Sequence, residues 1–489
     1  MSKYFPLLLV IIVLGLFCRG FAFQSRYIYA HDSDLASWMV KDILVDHHLR
    51  LVGQETSSSG IFIGPLFYYS LIPFYLISGM DPIGSVAYSW IIGLFSVASI
   101  YYVFSRIHNP KIGLIAGLIH AVSYGISVNE REVVPTTPVM LWTVWFYYAV
   151  HRLMAGDKKS LWLLAFLFGL VWHLNLALGL LAIIVVIGLL LKRNHFHPRD
   201  LLMPLLIFVV MSLPLIIFEA RHDYQQSRAL MSTLSSIGSP KPGSPSLLTK
   251  FQKTASYAGK NVHAIYWLDG KLSPYFPLFL MFGLIWTKFK KPRFGIHLWI
   301  YGIWLAVYWI FFSLHPINLS EYYLNGINIL WIAMAAHFLV LLMDTNNLGK
   351  AAAFVLITGF LAVNLNLQLT ANYSKNGYIQ KKAIIQAIKT DVLKRGIPCI
   401  SVSYITNPGY NLGYRYFIYL SGLKTRPVTQ KVPVYSIVFP LSLVDQVDQT
   451  FGDLGLIYPQ YERYSPETAK IECVGQDSNL SDPMFGFTK

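Results

Sequence analysis

Two aspartates, separated by one residue, stand in the segment 29–38, shortly after the first apolar run of the chain. An aspartate at a membrane surface can take the proton of an acceptor hydroxyl or amine, or it can hold a divalent cation. Asp32 could instead cap a helix that starts here, with Asp34 in the first turn beside the positive end of the helix dipole. We predict that Asp34 is the catalytic carboxylate and that Asp32 is the second candidate. If a metal ion is bound, Asp32 and Asp34 are the candidate ligands.

A second group of charges, Glu130, Arg131 and Glu132, lies between the apolar runs 112–129 and 136–152. Charges at the edge of a membrane are unfavourable unless they are paired or reach water. Both acids are therefore candidates to assist catalysis, and Arg131 is a candidate to bind substrate. The alternative is a local Glu–Arg ion pair that only anchors the end of a helix.

A third group is cationic, and it lies in the segment 220–273. Arg221, His222 and Lys260 are the members nearest to the ends of the neighbouring apolar runs. Cations at this depth would suit the phosphate of a lipid-linked substrate. The alternatives are a solvated loop and a surface that binds anionic lipid.

A fourth segment, 315–323, places Glu321 beside Tyr322 just before another apolar run. An acid next to tyrosines at an interface could line a pocket for a sugar. The alternative for the tyrosines is the aromatic belt with which many membrane proteins meet the headgroup region.

The composition excludes a soluble protein. Of the 489 residues, 55% are hydrophobic and 13% are charged, whereas soluble proteins carry about 25% charged residues. The net charge of +15 is explained by Lys and Arg in the cytoplasmic loops of a helical membrane protein, so it does not indicate nucleic-acid binding. The three cysteines are too few for a disulfide scaffold and lack the spacing of metal ligands.

Short basic loops separate many of the apolar runs and predict the topology. With every basic loop in the cytoplasm, one run in the first part of the chain is in excess, and we assign 61–80, which contains Pro65 and Pro73, to an interfacial or re-entrant helix. The alternative is a hairpin of 61–80 with 83–105, with one later span assigned wrongly. Eleven spans remain, at 4–22, 83–105, 112–129, 136–152, 160–175, 177–191, 201–219, 274–287, 296–314, 325–343 and 350–369.

This topology places the N-terminus in the cytoplasm and three long regions outside. Residues 1–370 form the transmembrane bundle, with outer loops at 23–82 and 220–273, and residues 371–489 form an extracytoplasmic domain. The pattern of that domain predicts a helix at 378–395, a strand at 398–404, a helix at 411–420 and a strand at 432–439, which makes a small α/β fold. Cys399 and Cys473 would both lie in an oxidising compartment, where they could form a disulfide.

The arrangement resembles the GT-C superfamily of membrane glycosyltransferases, within it the branch of the protein O-mannosyltransferases and aminoarabinose transferases. Three short motifs carry the resemblance: Asp34-Leu35-Ala36 early in the first outer loop, the segment 60–69 with Pro65 followed by aromatic residues, and Arg131-Glu132 before Pro135. The chain departs from the family at Leu35, where the family has a second acid, and at Gly64, where it often has Lys or His.

The resemblance implies a GT-C bundle that transfers a sugar from a polyprenyl-phosphate donor to an acceptor glycan, lipid or protein at the outer face, with inversion at the anomeric carbon. Asp34 would activate the acceptor, while Asp32, Glu130 or Glu132 would assist or hold a divalent cation, the one cofactor considered. The expected substrate-binding residues are Glu55, Tyr68, Tyr69, Arg131, Arg221, His222, Lys260, Glu321 and Tyr322.

Two other classes of function fit parts of the sequence. A transporter or flippase of lipid-linked sugars would explain the bundle, but not the acidic first outer loop or the outer domain. A non-catalytic subunit of an envelope assembly would rely on the C-terminal region. Transfer of sugar by the purified protein would distinguish a glycosyltransferase from both of these classes.

Overall fold

The computed structural model describes residues 4–56, 58–235, 246–267, 275–290, 295–315, 319, 321–428 and 431–474. Helices dominate this part of the chain. The helices that precede the C-terminal region are α1 (Phe5–Gly20), α2 (Phe23–Arg26), α3 (His31–Leu44), α4 (Leu66–Ile77), α5 (Ser85–Ile107), α6 (Pro110–Val122), α7 (Tyr124–Asn129), α8 (Val139–Met154), α9 (Lys159–Leu174), α10 (Ala182–Leu191), α11 (Leu202–Arg221), α12 (Gln225–Ser235), α13 (Leu247–Tyr266), α14 (Phe276–Lys290), α15 (Gly295–Leu314), α16 (Asn328–Met343) and α17 (Asn347–Thr370).

Each of the eleven predicted spans contains at least one of these helices, and the polytopic helical fold is confirmed. Within the described residues, five helical segments are both long and apolar enough to cross a membrane: Pro82–Ile107, Pro198–Arg221, Gly295–Leu314, Tyr322–Met343 and Asn347–Thr370. The other apolar helices are shorter, so the count of eleven spans stays a prediction. The run 61–80 forms α4, whose 12 residues extend about 18 Å at 1.5 Å per residue, well below the roughly 30 Å of a bilayer core.

Polar residues in the short loops start several of the helices. The Asn109 side chain accepts a hydrogen bond from the Ile112 N–H at 3.0 Å, and Pro110 occupies the first position of α6. Asn346 caps α17 in the same way, through the Gly349 N–H at 2.9 Å. Such caps satisfy amide groups that the first helical turn leaves without partners.

The predicted span 112–129 is divided at Ser123 into α6 and α7. The Ser123 hydroxyl donates to the Ile265 carbonyl of α13 at 2.7 Å and accepts from the Ile126 N–H of α7. Ser123 therefore connects α7 to α13. Gly125 allows α7 to approach closely, because a Cβ atom at this position would overlap the backbone of Ala264. The outer loop 220–273 is therefore largely helical, and α13 packs into the bundle. Its turn-rich segment 239–245 lies outside the described residues.

The C-terminal region has the predicted α/β fold and one hairpin that the sequence pattern did not indicate. Its elements are α18 (Tyr378–Arg395), β1 (Ser401–Thr406), α19 (Arg415–Ser421), β2 (Val434–Phe439), β3 (Gln449–Phe451), β4 (Leu454–Ile457) and α20 (Pro466–Glu472). The four strands form a mixed sheet in the order β1-β2-β4-β3, with β1 parallel to β2 and the other pairs antiparallel. The β3–β4 hairpin is too short to show a clear alternation of apolar residues.

The pairing of Cys399 with Cys473, which the sequence left open, is present as a disulfide with Cα atoms 5.6 Å apart. It joins the start of β1 to the end of α20, 74 residues later in the chain. The third cysteine, Cys18, is free and buried in α1.

Two groups of buried apolar residues stabilise the molecule. The larger one lies inside the membrane bundle, between α5, α6, α8, α9, α13, α15 and α16. The second one includes residues of α3, α4, α18, α19 and the sheet, so the outer loop 23–82 and the C-terminal region share one core. The domain boundary at residue 370 stays a prediction, although α17 ends there.

The predicted topology can be tested by labelling single cysteines from outside intact cells. Lys159 begins α9 directly after a basic loop, Tyr410 lies in the C-terminal region, and both side chains are exposed. We expect Tyr410→Cys to react with a membrane-impermeant maleimide and Lys159→Cys to react only after the membrane is permeabilised. Wild-type protein serves as the control, since its remaining cysteines are buried or bonded to each other. Outside labelling at residue 159 would contradict the topology.

Candidate active site

A cavity of about 890 Å³ lies where the outer ends of the bundle meet the outer loops. Its wall is built from the start of α3, the segment 54–63, the loop 129–136, the chain from Leu174 to Ile183, α13 and the segment 311–325. Acidic side chains, a lysine, a histidine and several amides all contribute to this wall. The polar residues used below are Asp32, Gln54, Glu55, Glu132, Asn175, Lys260, Asn261, His315 and Tyr322.

Asp32 lies on the cavity wall in the first turn of α3. The Gln54 amide donates a hydrogen bond of 3.4 Å to Asp32 Oδ1. Gln54 is itself held by Tyr68, whose hydroxyl donates to Gln54 Oε1 at 3.1 Å and accepts from the Gln54 N–H at 3.2 Å. Burial raises the pKa of Asp32, and the nearby His31 and Gln54 oppose this increase. The carboxylate is therefore a stronger base than an exposed aspartate.

Glu132 lines the same cavity, on the loop after α7. Burial raises its pKa to about 7, and the negative charge of Asp32 contributes to the increase. Asp32 and Glu132 both line the cavity, so the fold brings acids from two distant segments to one site. Two interacting carboxylates with raised pKa values are typical of sites that move protons.

Glu130 is close to Glu132 in sequence but points into the bundle. Its carboxylate forms an ion pair with Arg19 at 2.5 Å and lies 3.7 Å from His120. The Ser89 hydroxyl also donates to the backbone carbonyl of Glu130. Glu130 thus anchors the loop that carries Glu132, which corresponds to the structural alternative considered for it, although its partner Arg19 is distant in sequence.

Arg131 is also buried and does not line the cavity. Its guanidinium donates to Gln368 Oε1 at 2.7 Å and to the Cys18 carbonyl at 3.4 Å. Arg26 donates to the Gln368 carbonyl at 2.6 Å. The end of α17 therefore receives hydrogen bonds from two arginines, and Arg131 is placed to hold the loop rather than a substrate in the cavity.

Among the four carboxylates considered for catalysis, Asp34 is the most completely enclosed by protein. Its side chain is 3% exposed, and its Oδ1 atom accepts hydrogen bonds from the Tyr29 hydroxyl at 3.0 Å and the Tyr416 N–H at 3.1 Å. Asp34 is not part of the cavity wall. The structure therefore separates the two aspartates at the start of α3, with Asp32 in the cavity and Asp34 against the C-terminal region.

Some of the other predicted binding residues line the cavity, and others do not. Glu55, Lys260 and Tyr322 line the cavity. Tyr68 and Tyr69 lie behind the wall, where the Tyr69 hydroxyl bonds to the backbone of Arg50. Arg221 is exposed, and His222 stacks on Phe218, so neither reaches the cavity. The side chain of Glu321 lies outside the described part of the structure.

Helix α13 and the segment after α15 contribute further polar residues to the cavity wall, among them Lys260, His315 and Tyr322. Lys260 is the wall residue with a permanent positive charge, and its ammonium group lies 4.9 Å from the centre of the Tyr257 ring. His315, seven residues before Tyr322 in the sequence, also lies on the wall. Burial lowers the pKa of His315, and the charge of Lys250 lowers it further. Asn175 donates to the Tyr322 carbonyl at 3.1 Å and so connects this segment to the end of α9.

An apolar surface forms the rest of the wall. It consists of aliphatic and aromatic side chains from the end of α9, the turn before α10 and the end of α15. These residues are Leu174, Leu176, Leu180, Ile183, Phe311 and Phe312. The cavity can thus accept a ligand with a polar head and an apolar chain.

Sequence reasoning missed Gln54, Asn175 and Asn261. A single Asn or Gln in a loop belongs to no sequence motif. Its role depends on the residues that the fold places next to it. His315 stood in a segment that was singled out, but it received no role.

Two groups of side chains in the described part of the chain could be considered as metal sites, one outside the cavity and one on its wall. Asp42, Asp46 and His48 lie close enough together to hold a cation, but Arg50 pairs with Asp42 at 2.6 Å and Lys41 with Asp46 at 2.7 Å. Protein cations therefore already neutralise both aspartates. The cavity offers Asp32 and Glu132, whose oxygen atoms suit a divalent cation.

Gly93 of α5 is required for the Arg19–Glu130 ion pair. A Cβ atom there would lie 2.7 Å from Glu130 Oε2 and would overlap the Arg19 guanidinium. We expect Gly93→Ala to lower stability by about 3–5 kcal/mol, because separating a buried ion pair leaves charges without compensation. Gly359→Ala is the matched control, since it is a helical glycine with nothing within 4 Å of the added methyl group. Thermal unfolding of both purified variants measures the effect, and a wild-type melting temperature for Gly93→Ala would refute it.

Comparisons with known proteins agree with this architecture. The family model of the dolichyl-phosphate-mannose-protein mannosyltransferases matches residues 63–218. The crystal structure of ArnT from Cupriavidus metallidurans bound to undecaprenyl phosphate is similar over 95% of this chain and 100% of that chain, with a TM-score of 0.61 and 12% identity. The apo state of the same protein gives a TM-score of 0.58 with the same coverage and identity.

A less similar structure is the apo oligosaccharyltransferase of Archaeoglobus fulgidus, with a TM-score of 0.46 and 12% identity over 89% of this chain and 70% of that chain. No curated protein matches the sequence. The likeness to ArnT shows that the chain has the GT-C fold that the sequence analysis predicted.

Proposed function

From the GT-C fold, we propose that this membrane protein is a glycosyltransferase that moves a sugar from a polyprenyl-phosphate donor to an acceptor nucleophile at the outer face of the membrane. The observation that carries the proposal is the cavity itself, whose wall combines the Asp32–Glu132 carboxylates, the Lys260 ammonium group and an apolar surface. The undecaprenyl phosphate named for the ArnT structure and the mannosyltransferase family match at 63–218 support this class of donor.

The donor lipid would use the apolar surface of the cavity and Lys260. Leu180, Ile183 and Phe312 offer a surface of the kind that an isoprenoid chain can cover. Lys260 would neutralise the phosphate, since an ammonium group forms charge-assisted hydrogen bonds with phosphate oxygens. With the phosphate at Lys260, the sugar of the donor would extend toward Asp32 and Glu132.

The transfer is a single displacement. Asp32 takes the proton from the acceptor hydroxyl or amine, and the freed lone pair forms a bond to the anomeric carbon. The bond between that carbon and the phosphate oxygen breaks at the same time, and its electron pair leaves with the lipid phosphate. Attack opposite to the leaving group inverts the anomeric centre, and Lys260 stabilises the charge that develops on the phosphate.

We assign the base to Asp32 rather than to Asp34 because Asp32 lines the cavity and Asp34 does not. The raised pKa of Asp32 brings the carboxylate closer to the pH at which it must accept a proton, which favours general-base catalysis. Glu132 also lines the cavity and would hold the acceptor or the sugar through hydrogen bonds. A divalent cation at Asp32 and Glu132 would supply further charge for the leaving phosphate.

Asp32→Asn tests the base. The amide keeps the size of the side chain and cannot take a proton, so we expect the single-turnover rate of sugar transfer to fall by about 10²- to 10⁴-fold. Binding of undecaprenyl phosphate should be retained. Asp46→Asn is the control, because Asp46 is exposed just after the end of α3 and pairs with Lys41. Near wild-type transfer by Asp32→Asn would refute the assignment. Wild-type protein that binds the lipid but transfers no sugar would favour the flippase.

Lys260→Gln tests the phosphate site. Loss of a hydrogen bond to a charged group costs about 1.5–3 kcal/mol, so we expect the KM for the donor to rise roughly 10-fold or more. Lys253→Gln is the matched control, since Lys253 lies on the same helix, beside the same Tyr257 ring at 5.9 Å, and is not part of the cavity wall. Equal effects of the two substitutions would contradict a specific role for Lys260.

A further inference from the structure

Asp32 and Asp34, both at the start of α3, face different partners. Successive residues of an α-helix are rotated by about 100°, so side chains two positions apart point to nearly opposite sides. Asp32 lines the cavity, and Asp34 is enclosed by residues of the C-terminal region and by Tyr29. The turn that carries the proposed base is therefore also the turn that contacts the C-terminal region.

We propose that Asp34 is a positioning residue, through which the C-terminal region fixes the first turn of α3 and with it the Asp32 carboxylate in the cavity. The inference rests on the proposed transfer reaction at Asp32. It gives the C-terminal region a direct part in catalysis, although that region contributes no residue to the cavity wall within the described residues.

The contact is specific because Asp34 accepts a backbone hydrogen bond. The Tyr416 N–H lies at the start of α19, 382 residues later in the chain, and donates to Asp34 Oδ1 at 3.1 Å. Tyr416 is in turn fixed by its hydroxyl, which donates to the Met80 carbonyl at 2.9 Å. The position of Oδ1 is thus defined by an element that is itself bonded to the outer loop.

A second chain of hydrogen bonds fixes the same carboxylate from its own segment. The Tyr29 hydroxyl donates to Asp34 Oδ1 and lies 3.0 Å from the Ser37 hydroxyl, which lies 2.7 Å from the hydroxyl of Tyr75 on α4. The Tyr29 ring also packs on Phe417 of α19, with ring centres 4.6 Å apart. The first turn of α3 is therefore held on both sides by groups that cannot move independently.

The charge of Asp34 is balanced by the C-terminal region. Burial raises its pKa to about 6, and the hydrogen bonds from Tyr416 and Tyr29 and the charges of Lys381 and Arg415 oppose the increase. Lys381 donates to the Leu412 carbonyl at 3.1 Å, and burial lowers its pKa to about 8. The titratable groups that face Asp34 are Tyr29, Tyr75, Lys381, Tyr404, Arg415 and Tyr416.

Loss of this contact should not detach the C-terminal region, because other bonds hold it. Tyr378 donates its N–H to the Tyr27 carbonyl at 3.3 Å and its hydroxyl to Asp81 at 2.7 Å. The apolar core that the region shares with α3 and α4 also remains. A substitution at Asp34 should therefore loosen one helical turn within an otherwise folded protein.

The test compares Asp34→Ala with Asp34→Asn in the full-length protein in lipid nanodiscs. Asparagine keeps an oxygen that can accept the Tyr416 N–H, whereas alanine removes it. We expect Asp34→Ala to lower kcat by about 10- to 10²-fold through misplacement of Asp32, with an unchanged KM for the donor lipid. Asp34→Asn should retain most of kcat. A merely structural role would not produce this separation of kcat from KM together with rescue by the conservative variant.

Hydrogen exchange supplies a readout that does not depend on activity. Asp34→Ala should speed exchange of peptides that contain the amides of Asp34 and Tyr416, while Asp34→Asn should keep their protection. If Asp34→Ala fails to fold, Tyr29→Phe removes one of the two donors and should cause a smaller loss of both kcat and protection. If Asp32→Asn proves fully active, the proposed function fails, and the exchange data still decide whether Asp34 fixes the turn.

Two results would overturn the inference. Wild-type kcat and protection in Asp34→Ala would show that the contact positions nothing. Equal and large losses in Asp34→Ala and Asp34→Asn would show that the charge of Asp34, and not its hydrogen-bond acceptor, is the essential property.

Discussion

The hydrogen bond from the Tyr416 N–H to the Asp34 carboxylate joins the beginning of the chain to its C-terminal region. It can exist only because the carboxylate is buried together with Tyr29 and near the charges of Lys381 and Arg415, since a buried acid without such partners would be strongly unfavourable. The contact fixes the first turn of α3, and the Asp32 side chain of that turn lines the cavity.

The rest of the site depends on a comparable arrangement inside the bundle. The Arg19–Glu130 ion pair and the hydrogen bonds of Arg131 hold the loop that carries Glu132. Gly93 leaves the space that this ion pair needs. Charged residues near a membrane are thus used in two ways, with buried pairs that fix the loops and cavity-lining groups that are available to a ligand. The GT-C fold, shown by the likeness to ArnT, supplies the bundle on which both are built.

Much of the architecture could be predicted because it depends on local patterns. The helix at 378–395 was expected from its amphipathic pattern and agrees with α18 in both bounds. The disulfide between Cys399 and Cys473 could only be considered as one option, because 74 residues separate the two cysteines and the folding of β1 and α20 decides their distance. The break at Ser123 was not predicted, since an apolar run gives no sign of the serine that turns the chain toward α13.

The sequence by itself determined that this is a polytopic helical membrane protein with a C-terminal α/β region, because hydrophobic runs and residue patterns act over short stretches of chain. It also identified the segments that carry the candidate site. Only the tertiary structure decided between neighbouring candidates within them: Asp32 rather than Asp34 on the cavity wall, and Glu132 rather than Glu130. It also decided between more distant candidates of the segment 220–273, where Lys260 lines the cavity and Arg221 does not. The physical reason is that residues one or two positions apart share the same local sequence signal, whereas their direction is set by partners such as Tyr416 and Arg19, which lie far away in the chain.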